Sequence, residues 1–340
     1  MNQSKAYSIH KEMIVCDAHC DTVDRLMNGK AELGVRSNHG HIDIPRLIEG
    51  GVDVQVFASC VGGPGKPKGY YVDLTWKMLE TLRSQLAKNL KSISLATRLS
   101  DIQKAKQNHK ISAILAIEGG QSIENDLNNL RHFYIRGVRI MTLTWKSTNW
   151  ADASQQSMKH NGLTDFGKNV VKEMNKLGMI VDVSHSADKT VLDALKISSE
   201  PIIASHSCAK VLCDHPRNLT DRLIKDIASS GGVICVNFYP PFLDQKFKTD
   251  SDKKRNPELP SFTKIIDHIE HIIRVGGIDC VGLGSDFDGM TPISPPRGLE
   301  DVTKMPKITE ALLARGYAEE EIVKIMGGNF LRIFGQVCGM

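Results

Sequence analysis

Eight short apolar segments recur along the chain, and they constrain its fold more than any other feature of the sequence. Each contains a core of about four to eight apolar residues, which is too short for most helices. Segments of this length without polar alternation are typical of parallel strands that are buried on both faces. They are Ile14 to Asp21, Val52 to Ser59, Ser112 to Gly119, Val138 to Trp145, Met179 to Ser186, Pro201 to Ser207, Gly232 to Tyr239 and Val281 to Gly289.

Amphipathic segments separate most of these runs and predict helices. Phe166 to Leu177 keeps a three- and four-residue apolar spacing between Thr164, a predicted N-cap, and Gly178, a predicted C-terminal stop. Eight strands that alternate with helices predict an α/β protein, a TIM-like (β/α)8 barrel that occupies residues 1–340 as a single domain. A doubly wound open sheet is the alternative, but no Gly-x-Gly-x-x-Gly follows the first run.

Composition and charge exclude several classes of protein. The net charge is only +4, and the densest basic run, Lys246 to Arg255, is broken by Asp250 and Asp252, so we predict no nucleic-acid partner. No segment reaches the roughly 18 apolar residues of a membrane helix, and neither terminus resembles a signal peptide or a lipid-anchor signal. None of the eight cysteines forms Cys-x-x-Cys. We therefore expect a soluble, cytoplasmic protein with no membrane partner.

Polar side chains end five of the apolar runs. In a (β/α)8 barrel the carboxyl ends of the strands converge at one mouth, where active sites lie. Three imidazoles and several carboxylates in one place suit a transition metal such as zinc, and burial of those carboxylates without a cation would be costly. Because side chains alternate along a strand, the first two of these residues point the same way. The residues are His19, Asp21, Glu118, His185, His206 and Asp286.

Other histidines and acidic residues have structural interpretations. The His-x-Asp motif that ends at Asp43 lies in a polar stretch, where Asp43 is placed to cap a helical segment from Pro45 to Glu49. Asp17 lies one layer below the predicted site and is expected to support it. His268 and His271 fall on helical positions and are expected to be solvated.

At its strand ends the sequence resembles the zinc-dependent membrane (renal) dipeptidases and their bacterial relatives, peptidase family M19. Seven motifs carry the resemblance, and they occur in the family's order over nearly the whole chain. They are Cys16-Asp17-Ala18-His19-Cys20-Asp21, Ile117-Glu118-Gly119-Gly120, Asp182-Val183-Ser184-His185, Ser205-His206-Ser207, His215-Pro216-Arg217-Asn218-Leu219, Gly284-Ser285-Asp286-Phe287-Asp288-Gly289 and Gly327-Gly328-Asn329-Phe330-Leu331-Arg332-Ile333-Phe334.

The resemblance implies two zinc ions per chain in a barrel of the metallo-dependent hydrolase type. His19 and Asp21 would hold one ion, His185 and His206 would hold the other, and Glu118 would bridge them. A hydroxide that bridges the two metals would attack the peptide carbonyl. The implied activity is hydrolysis of dipeptides, including those with a D-residue at the carboxyl end, and the implied assembly is a homodimer.

The same resemblance implies the substrate contacts. Arg217 would bind the free carboxylate of the dipeptide with its planar fork, and Asp286 would pass a proton from the attacking water to the leaving amine. Asn237 and Trp145 are predicted to contact the substrate. Trp145 stands where many relatives carry a histidine, and its indole can donate a hydrogen bond but carries no charge. Phe242 stands where the family has a tyrosine.

Two other functions remain open at this point. A lactonase or deaminase of the amidohydrolase type often bridges its metals with a modified lysine at the fourth strand, and Lys146 lies near that position, although Glu118 already provides a bridge. A relative that binds metal or ligand without catalysis is the other alternative, and Trp145 is its main support. It predicts bound zinc and no turnover of any dipeptide.

Overall fold

Eight parallel strands form a nearly closed barrel at the centre of the molecule. The computed structural model describes residues 2–29, 31–247, 258–290 and 294–340. The barrel order is β1-β2-β4-β5-β6-β7-β8-β9, and β3 pairs with β4 outside this path. Within the described ranges the strands are β1 (Cys16–Cys20), β2 (Val54–Cys60), β3 (Ile93–Leu95), β4 (Ile111–Glu118), β5 (Val138–Thr142), β6 (Ile180–Asp182), β7 (Ile203–Ala204), β8 (Val233–Val236) and β9 (Val281–Leu283).

The two edges of this sheet meet, which confirms the predicted barrel and excludes an open sheet. The backbone N–H of Asp21 donates to the carbonyl of Phe287 at 2.9 Å, and that of Asp286 donates to the carbonyl of His19 at 3.1 Å. Each of the eight predicted segments overlaps one barrel strand. The additional strand, β3, was not predicted because its sequence, Ile93-Ser94-Leu95, has a polar residue at its centre and forms no apolar run.

Helices surround the barrel at the predicted places. Thr164 accepts a hydrogen bond from the N–H of Gly167, and Gly178 ends the same helix at φ 79°, as predicted. No helix of the described ranges is both long enough and apolar enough to cross a membrane. Most of the predicted basic run, residues 248–255, lies outside the described residues. The helices are α1 (Asn2–Glu12), α2 (Thr22–Met27), α3 (Ile44–Glu49), α4 (Tyr70–Lys88), α5 (Leu99–Gln107), α6 (Leu127–Ile135), α7 (Asp165–Leu177), α8 (Asp188–Ile197), α9 (Asp221–Ser229), α10 (Pro240–Leu243), α11 (Thr263–Gly276), α12 (Pro306–Ala314), α13 (Glu319–Val323) and α14 (Asn329–Cys338).

The two faces of the barrel strands belong to different apolar clusters. On β4, Leu115 and Ile117 belong to the large cluster that includes most of the helices' buried side chains. Ile114 and Ala116 belong to a smaller cluster that packs against Phe330 of α14. Because side chains alternate along a strand, Glu118 lies on the same face as this smaller cluster. The strand thus places a carboxylate above a packed apolar layer.

The prediction that two histidines of α11 are solvated is wrong. His268 is fully buried, where its Nδ1 accepts the N–H of Ala209 and its Nε2 lies 3.1 Å from the carbonyl of Leu243. His271 is also buried, and its Nε2 lies 2.7 Å from Asp221 Oδ1. Both side chains lie on the buried side of an amphipathic helix, where hydrogen bonds to neighbouring elements offset the cost of burying them.

Asp43 has the predicted role of a helix cap. Its carboxylate accepts the N–H of Arg46 at the start of α3 and contacts the Arg46 Nε at 2.8 Å, and both side chains are buried. We expect Asp43→Ala to lower the free energy of unfolding by about 3 kcal/mol or more, because it removes a cap and leaves a buried guanidinium with reduced compensation.

Urea denaturation measures this change, and Asp126→Ala is the matched control. Asp126 caps α6 from an exposed position, so its loss should cost only about 1 kcal/mol. Equal costs for the two variants would show that the buried ion pair of Asp43 adds nothing to the cap.

Candidate metal centre

The carboxyl ends of the barrel strands bring the predicted polar residues together. His19 is the fourth residue of β1, and Glu118 is the last residue of β4. The other predicted residues lie one to three positions beyond the ends of β1, β6, β7 and β9, in the turns that lead away from the barrel. They are Asp21, His185, His206 and Asp286. His185 and Asp286 have left-handed backbones, with φ 66° and 63°, which non-glycine residues adopt at a cost and chiefly where the surroundings enforce it.

Glu118 lies between two groups of side chains. Its Oε2 is 3.7 Å from His19 Nε2, and the same Nε2 is 3.6 Å from Asp21 Oδ2. Its Oε1 is 2.8 Å from His185 Nε2 and 3.4 Å from His206 Nε2. The two oxygens of one buried carboxylate therefore face two different pairs of side chains.

A buried aspartate, Asp182, orients the ring of His206 on the His185 side of Glu118. Asp182 accepts the Ser205 hydroxyl at 2.6 Å, and the same hydroxyl lies 2.8 Å from His206 Nδ1. Asp182 also accepts the backbone N–H of Ser184 and the hydroxyl of Thr142. These contacts fix the ring of His206 with its Nε2 towards Glu118, as outer hydrogen bonds do for metal-binding histidines.

Asp17 lies below His19 and Asp21, as predicted, and supports them as Asp182 supports His206. It is fully buried and accepts both the N–H and the hydroxyl of Ser285, at 2.7 and 2.6 Å. Gln55 and the N–H of His19 donate to the same carboxylate. Burial raises the pKa of Asp17, and these hydrogen bonds oppose that rise. Asp17 thereby ties β1 to the segment that carries Asp286.

The electrostatics of the cluster favour a bound cation. Burial lowers the pKa of His206 well below its usual value, and the neighbouring His19 adds to the effect. Burial and the charge of Glu118 raise the pKa of Asp21 well above its usual value. For His19 burial acts downward, but the charges of Glu118 and Asp21 outweigh it and raise the pKa. A bound cation would compensate the negative charge that these buried carboxylates bring together.

The same residues fit a metal ion in their donor types. His19 Nε2 is buried and has no hydrogen-bond partner among the described residues, although it points at two carboxylates. His185 Nε2 and His206 Nε2 lie only 2.9 Å apart. Neutral imidazole nitrogens and carboxylate oxygens are the ligands that zinc takes in catalytic sites. The donor types of this cluster are those of a metal site.

A cavity of about 430 Å³ opens onto the cluster, and three of the five predicted ligands, Asp21, Glu118 and His185, line its wall. This volume is typical of small-molecule sites. Arg217 also lines it, although its side chain is almost wholly buried. One of its nitrogens donates to the carbonyl of His206 at 3.2 Å, while its buried Nε has no partner among the described residues. The guanidinium is therefore held in the wall with donor capacity left over.

Asp286 lines the cavity, but Asn237 does not. The amide nitrogen of Asn237 donates to Asp286 Oδ2 at 3.0 Å, and its amide oxygen accepts the N–H of Tyr239 at 2.6 Å. Its polar groups are thus occupied within the protein, at a position behind Asp286. Asn237 is therefore placed to orient Asp286, whereas the sequence predicted that it contacts the substrate.

Trp145 lines the cavity, and the neighbouring lysine points elsewhere. The Trp145 ring lies 6.4 Å from the ring of His185. Lys146 is exposed, and its ammonium lies 5.2 Å from the Trp145 ring. Lys146 is not among the residues that line the cavity. A lysine bridge between metals, which the amidohydrolase alternative requires, therefore has no support here.

The cavity residues that were not predicted from the sequence include Asp24, Cys60 and Gln155. Cys60 is the last residue of β2, and it lies one residue beyond the predicted segment, which ends at Ser59. Because strand ends converge in a barrel, the residue after the second run was the available signal. Asp24 and Gln155 lie in helix α2 and in a connecting segment, where no periodic pattern distinguishes them.

Comparisons with known proteins agree with this architecture. The family model for membrane dipeptidase, peptidase family M19, matches residues 3–339. Human Dipeptidase 3 is 30% identical over 346 residues, which cover 98% of this chain and 67% of that protein. Dipeptidase tcpJ of Claviceps purpurea (strain 20.1) is 33% identical over 307 residues, covering 88% of this chain and 69% of that protein.

A solved structure extends the similarity to the whole fold. The crystal structure of a metallopeptidase from Rhodobacter sphaeroides, liganded with a phosphinate mimic of the dipeptide L-Ala-D-Ala, superposes with a TM-score of 0.86 at 27% identity. The match covers 96% of this chain and 99% of that one. The chain belongs to the membrane dipeptidase family, peptidase family M19, and is a metallo-dipeptidase, a hydrolase of peptide bonds.

Proposed function

We propose that the chain hydrolyses dipeptides with a free carboxyl terminus at a centre of two zinc ions bridged by Glu118. The observation that carries the proposal is the position of this carboxylate, whose Oε2 faces His19 while its Oε1 faces His185. His19 and Asp21 would hold one ion, and His185 and His206 the other. When bound, the ions would supply an activated water as the nucleophile and polarise the scissile carbonyl.

Arg217 would bind the substrate carboxylate. Its fork lies in the cavity wall with Nε unpaired, and its carbon Cζ is 5.3 Å from the ring of Phe242, which holds it against an apolar face. A buried guanidinium gains strongly from a charge-assisted, two-point contact with a carboxylate. This contact would place the peptide bond next to the metal ions and would exclude longer peptides from productive binding.

Asp286 would accept the proton of the attacking water and return it to the leaving amine. Its carboxylate lines the cavity, and one of its oxygens lies within 4.8 Å of a donor atom of His19 and of Asp21. We assign Asn237 the task of orienting it, because the amide fixes Oδ2 and leaves the other oxygen towards the cavity. A correctly aimed general base contributes about 10²–10⁴-fold to a rate.

Trp145 would lie beside the scissile carbonyl. Its ring lies 6.4 Å from the ring of His185, and both side chains line the cavity. An indole N–H there would add a neutral donor to the carbonyl oxygen as charge develops on it. Acceptance of a D-residue at the carboxyl end is also proposed, and the Rhodobacter sphaeroides relative, which binds a mimic of L-Ala-D-Ala, supports it.

A panel of dipeptides tests this function. The zinc-loaded protein should release amino acids from L-Ala-L-Ala and L-Ala-D-Ala, and it should leave the carboxyl-amidated forms of both nearly untouched. N-acetylated forms run alongside show whether the amino group is also required. No release from any dipeptide by protein that contains two zinc ions would contradict the proposal.

Arg217→Lys separates binding of the carboxylate from the chemistry. We expect kcat/KM for free dipeptides to fall about 10–100-fold, mostly through KM, because lysine keeps the charge but not the two-point contact. Steady-state kinetics measure this split. The control is Arg222→Lys, an exposed arginine of α9, which should change neither parameter. A fall in kcat alone would place Arg217 in the chemical step.

The single domain over residues 1–340, the cytoplasmic location, the absence of a membrane partner and the homodimer remain predictions from the sequence. Size-exclusion chromatography with light scattering tests the dimer.

A further inference from the structure

One thiol stands at the edge of the metal centre. Cys60 ends β2, and the parallel register of β2 and β4 pairs it directly with Glu118. Its Sγ and one carboxylate oxygen from each of Asp21 and Glu118 all lie within 4.8 Å of one another. The same side chain lines the cavity. Sulfur and two oxygens thus face a common volume at the mouth of the barrel.

A buried nitrogen without a hydrogen-bond partner among the described residues faces the same two carboxylates. His19 is 2% exposed, and its Nε2 points at the same two carboxylates, 3.6 Å from Asp21 Oδ2 and 3.7 Å from Glu118 Oε2. This unpaired nitrogen indicates a ligand independently of the thiol. The nitrogen and the sulfur thus approach the same two carboxylates, and the four groups come from the ends of β1, β2 and β4.

We propose that Cys60 is a ligand of the metal ion held by His19, Asp21 and Glu118. The inference rests on the proposed metal centre and adds a sulfur to it. Ligands of one tetrahedral zinc ion stand roughly 3.5 Å apart, so a small side-chain adjustment brings the sulfur into bonding distance. The thiol proton leaves to solvent as the sulfur–metal bond forms, and no oxidant is required.

The added sulfur changes which metal the centre prefers. Thiolate ligands favour zinc, whereas sites built only from carboxylates and water suit manganese and magnesium. A zinc ion with four protein ligands can still expand to five-coordinate and accept a substrate or water. Cys60 would therefore make this centre more selective for zinc than imidazole and carboxylate ligands alone.

X-ray absorption of the zinc-loaded protein tests the inference without any substitution. We expect one sulfur scatterer at about 2.3 Å for every two zinc ions, because only one of the two ions of each chain has a sulfur ligand. A spectrum with only nitrogen and oxygen neighbours would overturn the role of Cys60 and leave the proposed metal centre standing. A protein that binds no zinc would overturn both.

Cobalt substitution gives a second readout and a matched control. The cobalt-loaded protein should show a near-ultraviolet sulfur-to-cobalt charge-transfer band that Cys60→Ser abolishes. Cys338→Ser should keep the band, because Cys338 is the other cysteine that is only partly buried and it lies at the end of α14. The same band in Cys60→Ser and in the wild type would contradict the proposal.

Metal competition measures the consequence for selectivity. Loss of a hydrogen bond to a metal ligand lowers metal affinity by about 10–100-fold. Cys60→Ser removes a ligand itself, so it should lower zinc affinity at least as much, and it should change manganese affinity much less. Chelator titrations of the folded variant give both constants. Equal losses for zinc and manganese would show that Cys60 acts through packing alone.

Discussion

Glu118→Gln should abolish dipeptide hydrolysis and remove at least one metal ion from the protein. The amide keeps the size of the side chain but has a single oxygen to offer, so it cannot face His19 and His185 with an acceptor at the same time. We expect kcat/KM to fall about 10³-fold or more, because metal activation contributes several kcal/mol and each 1.4 kcal/mol corresponds to tenfold in rate.

Metal analysis and kinetics on the same preparation measure the effect of Glu118→Gln. Glu80→Gln is the control, because Glu80 lies on α4 in a half-exposed pair with Arg136. Exposed pairs of this kind contribute little to stability, so the control should keep its activity and both metals. A Glu118→Gln protein with full metal content and wild-type kinetics would contradict the bridging role.

Asp286→Asn should reduce kcat while the metal ions stay bound. The amide still accepts the hydrogen bond from Asn237 through its oxygen, so the local structure is retained. It cannot accept a proton from water, and we expect kcat to fall about 10²–10⁴-fold with a much smaller change in KM.

Asp279→Asn is the control for this substitution. Asp279 lies just before the same strand, β9, at the opposite end of the barrel, where its side chain is mostly exposed and paired with Lys324. Residues at that end of a (β/α)8 barrel affect stability and leave chemistry unchanged. Loss of metal from Asp286→Asn would make Asp286 a ligand, and an unchanged kcat would place the proton transfer elsewhere.

The barrel could be predicted because burial on both faces leaves a clear pattern. Strands such as β4 are apolar without alternation, so eight such runs separated by helices indicated the topology. The polar strand ends stood out against this background. Their convergence followed from the parallel sheet alone, and their division into two groups around Glu118 followed only from the resemblance to the dipeptidases.

Three features could not be predicted because they depend on tertiary contacts. The end of the second run marked the position of Cys60 at the barrel mouth, but its pairing with Glu118 depends on the register of β2 and β4, which is not visible in one strand. Asn237 reaches Asp286 from a neighbouring strand, so its partner could not be identified from sequence order. His268 lies on the buried side of α11, and its ring is within hydrogen-bond distance of the carbonyl of Leu243, which is 25 residues away in the chain.

Anomalous X-ray diffraction from crystals of the zinc-loaded protein, recorded at the zinc absorption edge, tests the central claim most directly. We predict two peaks per chain, one beside His19 and Asp21 and the other beside His185 and His206, with an oxygen of Glu118 next to each. Two peaks roughly 3.5–4 Å apart would match a shared nucleophilic water. A single peak, or peaks that Glu118 does not touch, would contradict the account.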